Sequence, residues 1–436
     1  TFKVGGDNNM KEHNIVQVGI GFATGRKCFQ KVLRSYIHNW KESGLVDNEK
    51  ISLNLFIAYD LSYADTKATD FTKVHPDLND QIDSTTFIGD HDMIRESEEL
   101  IRLKIITPGE AECLFRNGYA GRRNAVLYHA IKRKMDYLLF LDDDEYPVAV
   151  TNTRNTAVWG GQHVLSKHLE YLKTADITHG RHCGYISPIP YLEFDEVMTE
   201  SVFRTFIEAI SNDILNWTKI RSVMNNGGVT YANTKILTEG YAYEVQEQNR
   251  SKFISGSNLG INLKNPGRVF PFYNPPGARG EDTFLSTCLA ERTVIRVPCY
   301  TFHDGFSTYH HLLEGVLPIH LKYIKADHEQ IVARFYKACI GWVRYKPLLL
   351  FVTNPETYEK SIIDMRKHLY ESVPKICEYF KKPDFMNIIT ELDHYHRNVE
   401  KHDLEFQNTK KAWAKLMDHL TERSRTARYD RPPATA

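Results

Sequence analysis

A short apolar run, residues 137–141, leads without a break into four acidic residues, Asp142, Asp143, Asp144 and Glu145. A run of this length and composition predicts a buried strand. In an open α/β sheet, ligands bind outside the carboxyl ends of the strands. The four acids are therefore expected at the edge of a sheet where a ligand site forms.

Side chains alternate along an extended chain, so Asp142 and Asp144 are predicted to face one site and Asp143 the other side. Two converging carboxylates repel each other unless a cation lies between them. Hard oxygen ligands favour Mg²⁺ or Mn²⁺, which substrate phosphates normally complete. The alternative interpretation is a solvated acidic turn or a helix N-cap. Several acids directly after an apolar strand favour the metal site.

Short β-rich runs alternate with helical patterns over about the first 300 residues, which is typical of a mostly parallel α/β sheet. From about residue 317 the spacing of apolar residues predicts long helices, one of which Pro374 is expected to kink or divide. The predicted organisation is a sheet domain over 1–316, a helical domain over 317–420 and a flexible tail over 421–436. Within the first domain, the predicted strands are 14–20 and 51–60, with a glycine-bearing turn at 21–25 and a helix over 27–42.

The composition excludes several classes of protein. The 436 residues include 55 Lys and Arg against 55 Asp and Glu, so the formal charge is zero. A main function in coating nucleic acid needs a surplus of positive charge, so no nucleic-acid partner is expected. The apolar runs are far shorter than the roughly 18 residues of a membrane span, so none is predicted. The seven cysteines are scattered without a CxxC pair, which favours free thiols in a reducing compartment. The expected location is the cytoplasm, with a peripheral membrane location as the alternative.

Two further motifs carry charged residues at predicted helix starts. Arg122, Arg123 and Asn124 follow small residues, and a helix N-terminus with two guanidinium groups can bind an anion. Glu281 and Asp282 open a later helix. Acids are favoured in a first helical turn whatever the function, and arginines near a helix start are often plain surface residues. The functional interpretation is that Asp282 acts as a general base toward an acceptor hydroxyl.

A late histidine, His303, follows a predicted strand and precedes Asp304 and Gly305. A lone histidine is usually structural. At the end of a strand, however, its imidazole could bind the same metal as the acidic run.

The order of these motifs resembles that of the GT-A class of nucleotide-sugar glycosyltransferases over about residues 15–309. The resemblance implies an α/β fold: a Rossmann-like, mostly parallel sheet flanked by helices, with the helical domain appended. It implies a donor half over about 14–150 and an acceptor half over about 151–316. It also implies a hexosyltransferase of carbohydrate biosynthesis that uses Mn²⁺ or Mg²⁺. Such an enzyme moves a sugar from a UDP- or GDP-sugar to a carbohydrate or other hydroxyl-bearing acceptor.

The resemblance also implies roles for individual residues. In inverting members, the first strand and its turn hold the nucleobase, an Asp-x-Asp binds metal and diphosphate, and a Glu-Asp pair supplies the base. The positions implied for donor binding are Phe22, Ala23, Thr24, Asp60, Arg122, Arg123, Asn124 and Asp143, those for the metal are Asp142, Asp144 and His303, and those for catalysis are Asp282 and Glu281. Retaining members share the Asp-x-Asp and the histidine without this base, so the stereochemistry depends on Asp282.

Two other functions remain open. A metal-dependent sugar-phosphate nucleotidyltransferase would also use paired acids, and residues 21–27 are a weak version of its glycine-rich loop. A non-catalytic carbohydrate-binding or assembly protein would use the helical region for its contacts. That region could serve acceptor binding or oligomerisation in any of these cases.

Overall fold

The chain is described by a computed structural model that covers residues 15–154, 156–211 and 217–429. Strands and helices alternate through most of this sequence. The strands are β1 (Val16–Thr24), β2 (Ile51–Tyr59), β3 (Ser84–Ile88), β4 (Tyr137–Leu141), β5 (Glu145–Tyr146), β6 (Val148–Thr153), β7 (Thr156–Gly161), β8 (Ile177–Gly184), β9 (Tyr243–Glu244), β10 (Leu259–Asn262) and β11 (Val294–His303).

Helices follow or separate these strands, and the longest lie in the last third of the chain. The helices are α1 (Phe29–Glu42), α2 (Ala68–Thr72), α3 (Pro76–Asn79), α4 (Asp90–Arg102), α5 (Pro108–Phe115), α6 (Tyr119–Lys132), α7 (Val164–Leu172), α8 (Glu200–Ile210), α9 (Trp217–Asn225), α10 (Thr234–Glu239), α11 (Glu281–Ser286), α12 (Glu329–Thr353), α13 (Tyr358–Phe380), α14 (Asn387–Arg397) and α15 (Val399–Tyr429). Short 3-10 helices span Pro266–Arg268, His310–Glu314, Pro355–Thr357 and Pro383–Met386.

One large sheet, with the strand order β3-β2-β1-β4-β10-β8-β11-β5, organises the molecule. Strand β1 is parallel to both β2 and β4, and β8 is parallel to β11. Strand β10 is antiparallel to its neighbours β4 and β8. The short strand β9 pairs with β11, while β6 and β7 form a separate hairpin. The prediction of a mostly parallel α/β sheet flanked by helices is confirmed.

Alternation along β4 divides the core between the two faces of the sheet. Leu138 and Phe140 pack with the apolar residues of α6 on one face. Leu139 and Leu141 pack with those of α1 on the other. Because both faces are covered by helices, the strand is apolar throughout, as parallel strands in α/β proteins usually are. The acids that follow it are the first residues free to face a ligand.

Strand β1 is longer than predicted and continues through Thr24, so the glycine-bearing turn expected at 21–25 is mostly strand. Gly21 is needed there for packing. A Cβ atom at this position would lie 2.6 Å from Val126 Cγ1 of α6. The glycine therefore lets the helix approach the sheet closely, which brings the start of α6 toward the ends of β1 and β4.

The helical region shares a core with α8 and α9, in which Phe206, Phe335 and Phe385 are fully buried. Pro374 lies inside α13 and does not divide it. The buried ammonium of Lys346, on α12, donates to the carbonyl oxygens of Glu208 and Ser211 at the end of α8. A cation at a helix C-terminus satisfies carbonyl groups that lack partners within the helix. The helical region is thus joined to the sheet-bearing part by packing and by charge.

The last helix returns to the sheet. The α15 residues Trp413 and Leu416 belong to the core on the α6 face, and the Trp413 indole donates to the Val269 carbonyl at 3.0 Å. The helix runs through Tyr429, so residues 421–429 of the expected tail continue it, while residues 430–436 lie outside the described chain. Among the described helices, none is long and apolar enough to cross a membrane. All seven cysteines are free thiols.

Candidate functional site at the end of strand β4

The three aspartates after β4 face different partners. Asp142 accepts a hydrogen bond from Arg123 Nη2 at 3.0 Å. Asp143 accepts one from Thr24 Oγ1 at 2.5 Å and another from Arg26 Nη1 at 2.9 Å. The same Arg26 nitrogen lies 2.5 Å from Asp144 Oδ2. Asp143 and Asp144 therefore share one guanidinium group.

This arrangement differs from the prediction that Asp142 and Asp144 face one site and Asp143 the other. The strand ends at Leu141, and Asp143 and Asp144 form a turn before β5. The side chains still alternate at Asp142, which lies on the α6 face of the sheet, and at Asp143, which lies on the face that carries Thr24. This alternation does not extend through the turn to Asp144.

Burial raises the pKa of Asp142 to about 8, and the neighbouring acids add to this rise while Arg123 opposes it. Burial alone would also raise the pKa of Asp144, but His303 and Arg26 hold it well below its usual range. The two carboxyl groups therefore differ in environment. Asp144 has cationic partners on two sides, whereas burial and the neighbouring acids disfavour the charge of Asp142 and Arg123 alone opposes them.

His303, at the end of β11, faces Asp144. Its Nδ1 atom lies 2.8 Å from the carbonyl oxygen of Tyr185, which accepts a hydrogen bond from it. Its Nε2 atom is thereby turned to Asp144 Oδ2, at 3.5 Å. Although burial opposes it, the pKa of His303 rises to about 9 because of Asp144 and Glu145. Asp304, the next residue, stabilises this strand end by donating its backbone N–H to the carbonyl of Asp144 at 2.9 Å.

Arg123, in the first turn of α6, connects the acidic strand end to the start of α11. Its side chain is only 2% exposed. Besides Asp142 it contacts the Gly256 carbonyl oxygen, and its Nε lies 3.5 Å from Glu281 Oε1. The rings of Phe140 and Phe272 lie within 5.5 Å of its guanidinium carbon. A buried cation needs such partners to remain charged, so Arg123 holds two acidic motifs that are distant in sequence close together.

Asp282 lies at the other side of this cluster. Its Oδ2 accepts from the Gly256 N–H at 2.9 Å and its Oδ1 from the Thr283 N–H at 2.8 Å. The side chain lines an open pocket of about 280 Å³ whose walls include Trp342 and Tyr345 from α12. Two backbone amides thus orient the carboxylate while it remains next to a space that a small molecule could enter. Burial and the charge of Asp282 raise the pKa of the adjacent Glu281, and the charge of Arg123 opposes this rise.

Several residues implied for donor binding have structural roles. Phe22 has no exposed surface, and its ring packs against those of Phe29 and Tyr36 with centroids 5.1 and 6.4 Å away. Ala23 is also buried. Neither side chain is accessible to a nucleobase, because β1 continues into the core at this point.

Asn124 is occupied within the core as well. Its amide donates to the carbonyl oxygens of Leu114 and Phe272, each at 2.9 Å, and accepts from the Phe272 N–H at 2.7 Å. These bonds tie α6 to the end of α5 and to the segment before α11. The side chain therefore fixes the frame of the site instead of facing a ligand.

Arg122 and Asp60 lie together at the end of β2. Arg122 forms an ion pair with Asp90 at the start of α4, and its Nη2 lies 3.9 Å from Asp60 Oδ1. Asp60 also accepts from the N–H and the hydroxyl of Ser62 at 2.8 and 2.6 Å. Among the implied donor residues, Thr24, Asp60, Arg122, Arg123 and Asp143 lie at this edge of the sheet.

Sequence patterns did not identify two residues of the site, and they gave no partners for a third, Glu145 of the acidic run. Glu145 is buried and accepts from Ser257 Oγ at 2.5 Å and from Thr301 Oγ1 at 2.7 Å, while His182 Nδ1 lies 3.1 Å away. Although burial works in the other direction, His182 and Ser257 lower the pKa of Glu145 to about 2. The residues that the sequence did not identify are Arg26 and His182. Only Arg26 had a local signal, because it follows the glycine-bearing end of β1.

Asp144 and His303 are suitable ligands for a divalent cation. A carboxylate oxygen and an imidazole nitrogen face each other at 3.5 Å, and the His303 Nδ1 donates to a carbonyl, so a cation bound by Nε2 would have to displace its proton. Asp142 is turned to Arg123, and within the described residues no three His, Cys, Asp or Glu side chains converge to hold a metal. Mg²⁺ keeps several waters and is often held by one or two carboxylates plus substrate phosphates, so a cation here would depend on the phosphates of a ligand. Arg26 lies beside Asp144, and a cation would have to share or replace that contact.

Comparison with known proteins does not extend this description. No protein-family model matches the chain, and a search of curated proteins finds no match.

Proposed function

We propose that this protein is a metal-dependent glycosyltransferase of the GT-A class. It would move a sugar from a nucleoside-diphosphate donor, such as a UDP- or GDP-sugar, to a hydroxyl acceptor. The observation that carries the proposal is the cluster around Arg123. It joins the acidic end of β4 to Glu281 and Asp282, while His303 faces Asp144 from β11. A candidate donor site and a candidate general base therefore lie on one edge of the sheet.

On the donor side, Asp144 and His303 would hold Mn²⁺ or Mg²⁺. A bound divalent cation supplies positive charge that stabilises a leaving diphosphate. The chain itself adds Arg26, whose guanidinium lies beside Asp143 and Asp144. Thr24 orients Asp143 by its 2.5 Å hydrogen bond. These residues keep the acidic turn in one conformation and limit its repulsion before a ligand arrives.

On the acceptor side, Asp282 is the proposed general base of an inverting transfer. The carboxylate would take the proton of the acceptor hydroxyl as that oxygen attacks the sugar carbon and the bond to the diphosphate breaks. Two backbone N–H groups hold the carboxylate in place. The half-buried Trp342 and the buried Tyr345 wall the adjacent pocket. An aromatic face beside the base suits the apolar face of a saccharide acceptor.

The test is to incubate the protein with Mn²⁺ and a panel of UDP-, GDP- and dTDP-sugars and to measure release of nucleoside diphosphate. We expect one donor class to be hydrolysed or transferred. The Asp144→Asn variant should lose metal-dependent donor binding, whereas Asp195→Asn, in an exposed loop, serves as a matched control.

Other outcomes distinguish the alternatives. Pyrophosphate release from a nucleoside triphosphate and a sugar phosphate would favour a nucleotidyltransferase. Saccharide binding without turnover of any donor would favour the non-catalytic function. An absence of both turnover and metal-dependent nucleotide-sugar binding would contradict the glycosyltransferase proposal.

A further inference from the structure

A basic cluster lies on one face of the sheet, at strands β8, β9 and β11. Arg296 of β11 is opposite His179 of β8 on one side and Tyr243 of β9 on the other. Arg181 follows His179 by two residues and so shares its face. The Arg296 Nη1 donates to the Tyr243 hydroxyl at 3.2 Å, and the Arg181 guanidinium carbon lies 5.4 Å from the Tyr243 ring centroid. Two half-buried guanidinium groups therefore meet at one tyrosine.

No acid contacts these two charges. Across the part of the chain that the structure describes, neither Arg181 nor Arg296 forms an ion pair with a carboxylate, and the Nε atom of each is buried without a hydrogen-bond partner. Glu244, next to Tyr243, instead lies 3.9 Å from Lys252 Nζ. Burial and the charge of Arg296 lower the pKa of Arg181. Like charges this close disfavour each other unless an anion joins them.

His179 supplies a second, independent observation. Its side chain is fully buried, and neither ring nitrogen has a hydrogen-bond partner in residues 15–154, 156–211 and 217–429. Burial and the charge of Arg296 lower its pKa well below its usual range, so the imidazole is neutral and has one N–H to donate. Buried polar groups are nearly always paired. An unpaired donor beside two guanidinium groups indicates a site for an anion.

Phe253 connects this cluster to the pocket beside Asp282. Its ring centroid lies 5.6 Å from that of His179 and 6.0 Å from the Arg296 guanidinium carbon, and Phe253 also lines the pocket. Inside the pocket, Glu281 and Asp282 would repel an anionic group. A bound molecule is therefore favoured when its anionic group lies on the arginine side of Phe253 and one of its hydroxyl groups lies next to Asp282.

Exposed aromatic rings extend the cluster toward solvent. Tyr241 is 63% exposed and Tyr243 37% exposed, and their rings stack with centroids 6.4 Å apart. Burial in a core does not explain rings that remain this exposed. Aromatic faces offer an apolar surface with a polar rim, which suits the ring of a sugar. The combination of exposed rings and unpaired cations favours an acidic saccharide over a simple anion.

We propose that Arg181 and Arg296 bind an acidic group of the acceptor, so that the acceptor is an anionic saccharide. This inference rests on the proposed function, because it names the substrate class of the site that contains Asp282. A carboxylate, sulfate or phosphate group has the same property in this respect, since each presents oxygens that a planar guanidinium can bind in pairs.

The experiment measures binding of oligosaccharides to the full chain by calorimetry, without any nucleotide sugar. The ligands are a glucuronic-acid-containing oligosaccharide, its carboxyl-reduced neutral counterpart, and sulfated and phosphorylated forms of that neutral compound. We expect at least one acidic form to bind about tenfold more tightly than the neutral one, as for a charge-assisted contact. The preference should shrink as salt concentration rises, which the wild-type protein alone can show.

Variants assign the preference to the cluster. Arg181→Gln and Arg296→Gln should reduce it to about the level of the neutral ligand, and Arg296→Lys should keep part of it. Tyr241→Ala should weaken binding of acidic and neutral forms alike, and its exposed position favours normal folding. The control is Arg204→Gln, an exposed arginine of α8 that pairs with Glu208. Circular dichroism shows that each variant is folded.

Equal affinity of the wild type for acidic and neutral forms would overturn the inference, as would an unchanged preference in folded Arg181→Gln and Arg296→Gln proteins. An equal loss in Arg204→Gln would also overturn it. Because no donor is present, the result is separable from the proposed function. Turnover of a nucleotide sugar without charge preference would overturn the inference alone. Charge-selective binding without turnover of any donor would support the anionic saccharide site and contradict glycosyl transfer.

Discussion

Arg123 is the residue that links the two acidic motifs of the site. It is almost completely buried, yet it contacts Asp142 from β4 and Glu281 from α11. Breaking one side of a buried charged cluster leaves uncompensated charge, which typically costs about 3–5 kcal/mol. The residue therefore couples the geometry of the acidic turn to that of the candidate base. Local sequence predicts a cation at this helix start, but its burial depends on α11 and on the rings of Phe140 and Phe272.

The role of Asp282 is tested by Asp282→Asn. Asparagine preserves the size of the side chain but cannot take a proton from an acceptor hydroxyl. We expect transfer to fall by about 10²- to 10⁴-fold with donor binding intact, as for loss of a general base. Steady-state kinetics and nucleotide binding by calorimetry measure the two effects. The exposed Glu291→Gln is the control. Full transfer activity of Asp282→Asn would mean that the carboxylate only caps α11 and would favour a retaining mechanism.

The contacts between elements explain why most predicted strands were located correctly and some side chains were not. Apolar runs and helical spacing predict β1, β2, β4 and α1 because each buries a face of its own. They do not show where one element approaches another. The resemblance implies a ligand contact at Phe22, whereas β1 continues past Gly21, which accommodates Val126 of α6, and Phe22 lies in the core.

The packing of α6 on β1 is tested by Gly21→Ala. The added methyl group would lie 2.6 Å from Val126 Cγ1, so the helix or the strand must shift. We expect a loss of about 1–3 kcal/mol in the free energy of unfolding, measured by urea denaturation. Gly160→Ala in β7 has no atom within 4 Å of the new Cβ and should change stability little. Equal stability of the two variants would contradict the close approach.

A buried histidine of α7 that bonds to the sheet is expected to make the stability of the protein depend on pH. His168 is fully buried and bonds through Nδ1 to Thr178 Oγ1 and through Nε2 to Asn258 Oδ1, both at 2.7 Å. Burial lowers the pKa of His168 to about 4, although the hydrogen bond with Asn258 acts in the opposite direction. An unfolded histidine has a pKa of about 6.5. Between these values the unfolded chain binds more protons, so stability falls as the pH decreases.

We expect this histidine to account for a loss of about 2 kcal/mol in unfolding free energy between pH 7 and pH 5. Urea denaturation of the wild type and of His168→Gln at both pH values measures it. The variant should be less sensitive to pH over this interval by that amount. The same pH sensitivity in both proteins would show that His168 does not titrate on unfolding.

On the scale of the whole molecule, the helical region is part of the same folded body as the sheet. Its residues share a core with α8 and α9, and α15 packs on the α6 face of the sheet. The sequence predicted a change to long helices after about residue 317. It did not predict that α15 returns to the sheet, because an amphipathic helix shows that one face is buried without showing against what.

Trp413→Ala tests whether the two parts unfold together. It removes a buried indole that packs with the sheet core and donates to Val269. We expect a loss of about 3–5 kcal/mol, with one shifted transition by both far-UV circular dichroism and tryptophan fluorescence. Leu404→Ala on the same helix, at a side chain 60% exposed, is the control. A Trp413→Ala protein in which only α15 loosens, with sheet amides still protected from hydrogen exchange, would contradict this coupling.

Local patterns are sufficient to predict a mostly parallel α/β sheet, a long helical region and an acidic turn after β4, because the hydrophobic period and the end of a strand are properties of neighbouring residues. Tertiary structure decides which acid faces which cation. Asp142 pairs with Arg123, Asp143 and Asp144 share Arg26, and His303 faces Asp144. These pairings depend on how segments distant in sequence are brought to one edge of the sheet. Charge interactions act through space between residues that are distant in the sequence. The sequence therefore identifies the charged residues but does not show which of them pair.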